Sequence, residues 1–416
     1  MNANDRAITG YAMLGHGMVH TYELAVPILV TVWLVEFTVT PAILGLAVAV
    51  GYGLFGVGAL PGGVLVDRFG SRELIAACLV GMGLSFGLLA LAPGVLGIVL
   101  ALATWGVAAS VYHPAGLSLI SNGVQRRGLA FAYHGMAGNA GIAAGPFLTA
   151  LLLVVVDWRT AVVVLALPGV LAGLVGLRVD FDEHAAVDTA TDGGEVPTTE
   201  IDSIGEFVAA SRGVFTLGFV VVLGIVMFNG LYYRGVLTFL PELLSEFLAP
   251  FVASDGEFPL LSAGPATREF ELSRYLFTGL LTVGVVGQYL AGRLTDVVQP
   301  ERGLAVGVAA LSIIGVVFVP ASGNVWTLLA VSATLGFVLF GIQPFTQATI
   351  AKYSPPDRRG LSFGYTYLAI FGVGAFGASI IGTVLTHWPT EIAFLVLAGF
   401  AVGALALALV LIGSDS

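Results

Sequence analysis

The sequence predicts an all-α integral membrane protein: twelve transmembrane helices in two six-helix, pseudo-symmetric halves around a central cavity. Three observations predict it. Of the 416 residues 57% are hydrophobic and only 10% charged, with a mean hydropathy of +0.97, far more apolar than a soluble domain needs. No Asp, Glu, Lys or Arg occurs from Thr40 to Val66 or from Leu74 to Asn122; each run exceeds the roughly 20 apolar residues that cross a bilayer as a helix. Finally, the chain repeats itself. Tyr112-His113-Pro114, a polar turn with Arg126 and Arg127, and Gly128 to His134 have the layout of Ile342-Gln343-Pro344, a turn with Arg358 and Arg359, and Gly360 to Tyr365, with 230 residues between the two prolines. Self-similarity at that distance means two halves of one plan. Period-2 alternation of the barrel type is not seen, so the spans are helices.

The spans follow in order. The first, 7–34, carries the only histidines before the repeat, and the second, 41–66, is the first charge-free run. The third and fourth, 73–92 and 95–121, are two crossings of the second charge-free run about Pro93-Gly94. The fifth, 128–153, leaves the polar turn Asn122–Arg127, and the sixth is 159–178. Between the sixth and seventh lies a linker with nine acidic residues from Asp180 to Glu206, which reads as a flexible solvated connector, with room for a short surface helix near 204–210. The second half repeats the pattern at 214–240, 273–297, 303–320, 325–350, 360–386 and 391–412. The organisation is thus an N-terminal half (1–178), an acidic linker (179–212) and a C-terminal half (213–416).

Positive charge orients the bundle. With the N-terminus cytoplasmic, the inside turns hold Arg6, Arg68, Arg72, Arg126, Arg127, Arg178, Arg212, Arg302, Lys352, Arg358 and Arg359, while the outside turns keep Arg159, Arg268 and Arg274. Both termini are therefore expected in the cytoplasm of a cell that carries the protein in its plasma membrane. The longest outside loop, Glu242–Glu271, is acidic and is expected to lie solvated on the membrane surface. A net charge of −10, concentrated in loops, speaks for solvation and against a nucleic-acid partner. Cys78, the single cysteine, sits in an apolar run and reads as a small core residue.

Within the first span His16, His20 and Glu23 stand at spacings of four and three, on one helical face. Ionisable groups at that depth are costly and usually face a cavity or an ion path. Three readings stay open: a proton-coupling or substrate site, a hydrogen-bond cluster between helices, and a metal site built on the His-x-x-x-His pair. His113 and His134, beside Tyr112 and Tyr133, read as satisfied core residues or as cavity groups. Arg234 is the one basic residue well inside the second half; in the outer third of its span it either snorkels outward as an anchor or faces the cavity. Asn139, Gln343 and Tyr365 complete the candidate cavity set.

The turn Gly62-Gly63-Val64-Leu65-Val66-Asp67-Arg68-Phe69-Gly70-Ser71-Arg72 resembles the signature of the major facilitator superfamily, matched by Gly63, Asp67, Arg68, Gly70 and Arg72. Its echo keeps Gly292 and Asp296 but has Val297 and Gln299 at the positions of Arg68 and Gly70. The resemblance implies a gate in which a carboxylate at a helix end bonds a neighbouring helix N-terminus and arginines, locking one conformation. Gly135, Gly138, Gly141 and Gly145-Pro146 in the fifth span resemble the glycine-rich run of the superfamily's antiporters, although small residues at this spacing also serve plain helix packing. With His113-Pro114, Arg126-Arg127-Gly128 and Gly138-Asn139-Ala140-Gly141, residues 112–146 are similar to the fosmidomycin-resistance-type efflux branch.

The resemblance implies a monomeric secondary transporter and not an enzyme. It would move a small molecule through the lipid bilayer by alternating access, with protons as the coupled ion and no cofactor or resident metal. No phosphate-binding Gly-x-x-x-x-Gly-Lys motif is present for ATP. The leading expectation is proton-coupled export, with Glu23 as the group that gains and loses the coupled proton and His20 tuning it. Uptake of a small anionic solute by proton symport is the alternative, favoured if Arg234 lines the cavity, and an intramembrane metal-binding protein is the third.

Overall fold

In the computed structural model, which describes residues 1–186, 204–252, 267–295, 297–355 and 359–414, twelve helices are long and apolar enough to cross a membrane. The N-terminal half contains α1 (Ala3–Glu36), α2 (Pro41–Phe69), α3 (Ser71–Ala90), a fourth span split into α4 (Val95–Ser110) and α5 (Tyr112–Gly123), α6 (Arg127–Val155) and α7 (Trp158–Gly176). A short α8 (Ile204–Val214) leads into the C-terminal half: α9 (Leu217–Val252), α10 (Thr267–Leu294), α11 (Pro300–Ala321) and α12 (Val325–Tyr353). An eleventh span follows as α13 (Arg359–Tyr367), a π-helical turn (Leu368–Val373) and α14 (Phe376–His387), and α15 (Thr390–Ser414) closes the chain. An even number of spans puts both termini on one face, called here the terminal face.

Local chemistry sets the boundaries. The Asn2 side chain caps α1 by accepting from the Asp5 N–H (2.7 Å), and Asp157 caps α7 by accepting from Arg159 and Thr160. Between α2 and α3 the chain turns on a single residue, Gly70, at φ +80°; only glycine takes that conformation without strain, which explains a glycine at this point of the signature. The fourth span breaks at Val111 because Pro114, in the first turn of α5, cannot donate to the Ser110 carbonyl.

Each half packs on itself, α1 on α6 and α3 on α7 in the first, α10 on α12 and α11 on α15 in the second. The halves meet through two pseudo-symmetric pairs, α2 with α14 and α6 with α10, and through α1 with α9. Away from the terminal face the α2–α14 seam is closed: the Ala42 N–H donates to Thr386 Oγ1 (2.9 Å), and Gly45 lies against the Ala378 carbonyl.

Three expectations change. α9 continues to Val252, so Glu242 and Glu246 are helical rather than part of a loop; burial of Leu243, Leu244 and Leu248 against the core extends the helix past Pro241. Residues 253–266 of the expected loop lie outside the described residues. Arg274 is not a surface charge of an outside turn: it is buried in α10, where its Nη2 donates to Thr31 Oγ1 of α1 (3.3 Å). The linker is not a free connector throughout, because residues 181–186 are fastened to the first half. Asn4 exchanges hydrogen bonds with the Asp182 backbone, the Ala186 N–H donates to the Asn122 carbonyl, and Glu183 accepts from the Ser71 and Arg72 N–H groups at 2.8 and 3.1 Å.

Candidate functional site

A cavity of about 1460 Å³ lies between the halves and extends to the terminal face, where Arg68, Gly70, Asn122 and Glu183 border it. Deeper in, its walls are His16, His20 and Glu23 of α1, His113 of α5, His134, Gly138 and Asn139 of α6, Asn229 and Tyr233 of α9, Gln343 of α12, and Tyr367 and Phe371 of the eleventh span.

The floor is a polar chain that runs from one half to the other. Glu23, 1% exposed, accepts at Oε1 from Arg234 Nη2 and at Oε2 from His20 Nδ1 (2.5 Å). Its backbone carbonyl accepts from the Tyr52 hydroxyl (2.6 Å), whose ring lies 3.6 Å beneath the Arg234 guanidinium carbon. Arg234 is thus neutralised by a carboxylate and stacked on an aromatic face, the two interactions that make a buried guanidinium tolerable. From His20 the chain continues through Nε2 to His16 Nε2 (3.1 Å), and His16 Nδ1 meets the His134 carbonyl oxygen (2.8 Å). The His16 and His134 rings stack at 3.9 Å, and His113 stands edge-on to His16 at 5.4 Å.

Tyr112 is fully buried behind these rings. Its hydroxyl donates to the Ala12 carbonyl and, with its one proton spent there, accepts from His134 Nε2 (3.2 Å). It positions His134 without lining the cavity. The glycines of α6 explain how α1 comes so near: a side chain at Gly138 would overlap the His16 ring, and at Gly141 or Gly145 the Gly17 or Thr21 carbonyl.

The structure therefore brings His16, His20, Glu23, His113, His134 and Arg234 together, and lines the cavity with Asn139 and Gln343. Arg234 does not snorkel: it is 3% exposed and reaches Glu23 across the interface. Tyr365 is elsewhere, donating to Ser211 Oγ (2.8 Å) at the α8–α13 contact. Two residues on, about 200° around the helix, Tyr367 faces the cavity in its place.

Of the signature residues, Arg68 is exposed at the cavity mouth, and Arg72 lies on the Phe181 ring (4.2 Å) while donating to the Phe181 carbonyl (2.6 Å). Gly292 sits in α10 near Pro344. Gly63 lies in α2; the side chains of Asp67 and Arg359, and all of Asp296 and Arg358, lie outside the described residues, and so does their part in the expected gate. Arg126 and Arg127 are exposed in their turn, which Asp5, 1% exposed, holds by accepting from the Gln125 and Arg126 N–H groups.

Sequence reasoning missed Asp5, Tyr52, Tyr233, Tyr367, Asn229 and Gln288. Asn229 and Gln288 line the cavity, and their Nδ2 and Oε1 atoms are buried with no protein partner among the described residues. A signal existed only for Tyr233 and Asn229, which flank Arg234 in Asn229-Gly230-Leu231-Tyr232-Tyr233-Arg234.

The family model described as Major Facilitator Superfamily matches residues 12–267 and 247–416. An uncharacterized MFS-type transporter of Mycobacterium tuberculosis (strain ATCC 25618 / H37Rv) is 28% identical over 338 residues, covering 78% of this chain and 73% of the relative. The puromycin resistance protein pur8 of Streptomyces alboniger is 37% identical over 128 residues, 30% of this chain and 25% of that protein. Among solved structures, a bacterial homologue of the human lysosomal transporter Spinster, inward-facing and unoccupied, superposes with a TM-score of 0.73 at 12% identity, covering 99% of this chain and 97% of that one. A variant of the nucleoside transporter NupG gives 0.73 at 13% identity, with 98% and 99% covered.

Proposed function

The chain belongs to the major facilitator superfamily and is a secondary transporter rather than an enzyme, and from that premise we propose that it exports a small molecule across the plasma membrane in exchange for protons. In this reading both termini are cytoplasmic, so the cavity opens inward, ready to load solute from the cytoplasm. The observation that carries it is the ion pair between Glu23 and Arg234, which joins the two halves at the closed end of the cavity. A proton that neutralises Glu23 weakens that pair, and weakening it frees the halves to rock; this is how protonation and alternating access become linked.

Two further points favour export. Residues 112–146 are similar to an efflux branch, and a drug-resistance protein, pur8, is among the relatives, over 30% of this chain. Uptake of an anion would need Arg234 as a vacant positive charge, and Glu23 already occupies it.

The test is flux in proteoliposomes with the terminal face outward and an acidic lumen. Proton antiport accumulates solute in the lumen, and collapse of the pH gradient releases it. Accumulation only when the outside is the acidic side would establish symport instead.

A further inference from the structure

The rings of His16 and His20 are oriented in a way the ion pair does not explain. His20 Nδ1 faces a carboxylate oxygen of Glu23 at 2.5 Å, and His16 Nδ1 faces a backbone carbonyl at 2.8 Å. Both partners are acceptors only, so in each neutral ring Nδ1 carries the hydrogen and Nε2 is a bare lone pair. Yet these two Nε2 atoms point at each other, 3.1 Å apart. Two lone pairs held face to face repel, unless a cation stands between them.

A third imidazole converges on the same point. Ligand nitrogens of His16, His20 and His113 lie within 4.8 Å of one another. A proton bridges two nitrogens and has no use for a third; a metal ion takes three. Nitrogens bound to one tetrahedral Zn²⁺ at about 2.0–2.1 Å stand about 3.3 Å apart, so the His16–His20 pair already has the spacing, and the His113 nitrogen, within 4.8 Å of both, completes the set by an approach of up to about 1.5 Å. The outer contacts are those of a metal-bound histidine, whose second nitrogen donates to a carboxylate or a backbone carbonyl: Glu23 for His20 and the His134 carbonyl for His16.

We propose that His16, His20 and His113 form a binding site for a late divalent transition metal, of the zinc, cobalt and nickel kind, and that the metal is carried as cargo. The inference rests on the transporter reading and names the substrate class of its cavity. Three neutral imidazoles select borderline metals over Mg²⁺ and Ca²⁺, which require oxygen ligands. With the Glu23 charge held by Arg234, no carboxylate enters the ligand set and the site adds no negative charge to the ion. A cavity of about 1460 Å³ leaves the fourth position to water or to a small chelator that travels with the metal.

The experiment uses the purified full-length protein. Zinc titration by calorimetry is expected to show one saturable equivalent, Co²⁺ to develop the strong visible bands of four-coordinate nitrogen ligation, and zinc to raise the Tm. His16→Ala, His20→Ala and His113→Ala should each weaken zinc at least about tenfold. His113→Gln serves as the gentle variant, since His113 stands apart from the Glu23–Arg234 pair. In proteoliposomes radioactive zinc is then offered alone or with excess citrate: movement of zinc alone assigns the free ion, and movement only with citrate assigns the chelate. Absence of stoichiometric binding, binding unchanged by all four substitutions, or bound zinc that never moves would each overturn the proposal. If organic solutes still exchange in the same vesicles, the metal site falls and the transporter reading stands; if nothing moves, both fall.

Discussion

The guanidinium of Arg234 and the carboxylate of Glu23, 211 residues apart in sequence, form a buried ion pair between the two halves of the bundle. Each is nearly without solvent contact, at 3% and 1% exposure. Desolvating two charges costs more than their attraction alone returns, so the pair stands through its additional partners. His20 holds the other carboxylate oxygen, and the Tyr52 ring lies under the guanidinium.

Removal of one member therefore does more harm than removal of both. Arg234→Ala or Glu23→Ala leaves a lone buried charge and should destabilise the fold by about 3–5 kcal/mol. The neutral double variant Glu23→Gln/Arg234→Gln leaves no lone buried charge and should recover most of that loss. Thermal unfolding of the purified variants in one detergent reads the difference; equal losses in single and double variants would remove the pair from the account.

The double variant also separates coupling from transport. With no carboxylate to protonate, accumulation driven by a pH gradient should disappear, while exchange of solute at equal pH continues. Undiminished pH-driven accumulation would move coupling to the histidines. Loss of exchange as well would assign the pair to solute binding.

How much of this was legible in the sequence follows the range of each interaction. The stripe His16, His20, Glu23 could be read because one helix face is fixed by spacings of three and four, and all three side chains do face the cavity. The partner of Glu23 could not, because the pairing with Arg234 depends on how two helices from different halves meet, which no local period records. Tyr52 was invisible for another reason. It lies in a charge-free run where an aromatic reads as core, and it is core, 2% exposed, with only its hydroxyl and ring face used. The repeat aligns Tyr365 with Tyr133, and neither lines the cavity: Tyr133 is exposed, and Tyr365 is drawn to Ser211 of α8, a docking that no local period records.

The linker strap offers a third prediction. Glu183 accepts from the two N–H groups that open α3, at 2.8 and 3.1 Å, as a capping carboxylate does. Glu183→Ala should cost about 0.5–2 kcal/mol and loosen residues 181–186. Limited proteolysis at the terminal face is expected to cut there faster, and an unchanged cutting pattern would show that the Asn4, Arg72 and Asn122 contacts hold the strap without Glu183.

Asp157 makes a pH-dependent contribution at the opposite face. The Thr160 hydroxyl, then the Thr160 and Arg159 N–H groups, hold its carboxyl below the usual carboxylate range. A folded-state pKa depressed in this way adds stability that is present above the ordinary Asp value and lost as pH falls through the folded one. Asp157→Ala should therefore lower the Tm at neutral pH and bring no further loss in strongly acidic buffer, a pattern that a pH series of melting curves will display.

The last prediction concerns the seam that must open for the cavity to face the other way. At Gly45 the backbone of α2 lies so close to α14 that an added β-carbon would overlap the Ala378 carbonyl and press on the Phe239 ring, and nearby Gly382 is packed in the same way against the Pro41 carbonyl. These contacts exist only while the opposite face is closed, so bulk at Gly45 penalises the closed state and leaves an opened seam untouched. Overpacking of this kind costs about 1–3 kcal/mol, which shifts a two-state equilibrium by roughly five- to 150-fold. Gly45→Leu should therefore raise the population open at that face. A cysteine placed by Ala42→Cys, beside the Thr386 contact, reports it, because native Cys78 is buried in α3. Membrane-impermeant thiol reagent added from that face should label Ala42→Cys faster in the Gly45→Leu background. Equal labelling rates would mean that the α2–α14 seam is not the moving contact, and would leave α6–α10 and α1–α9 as the places where the halves part.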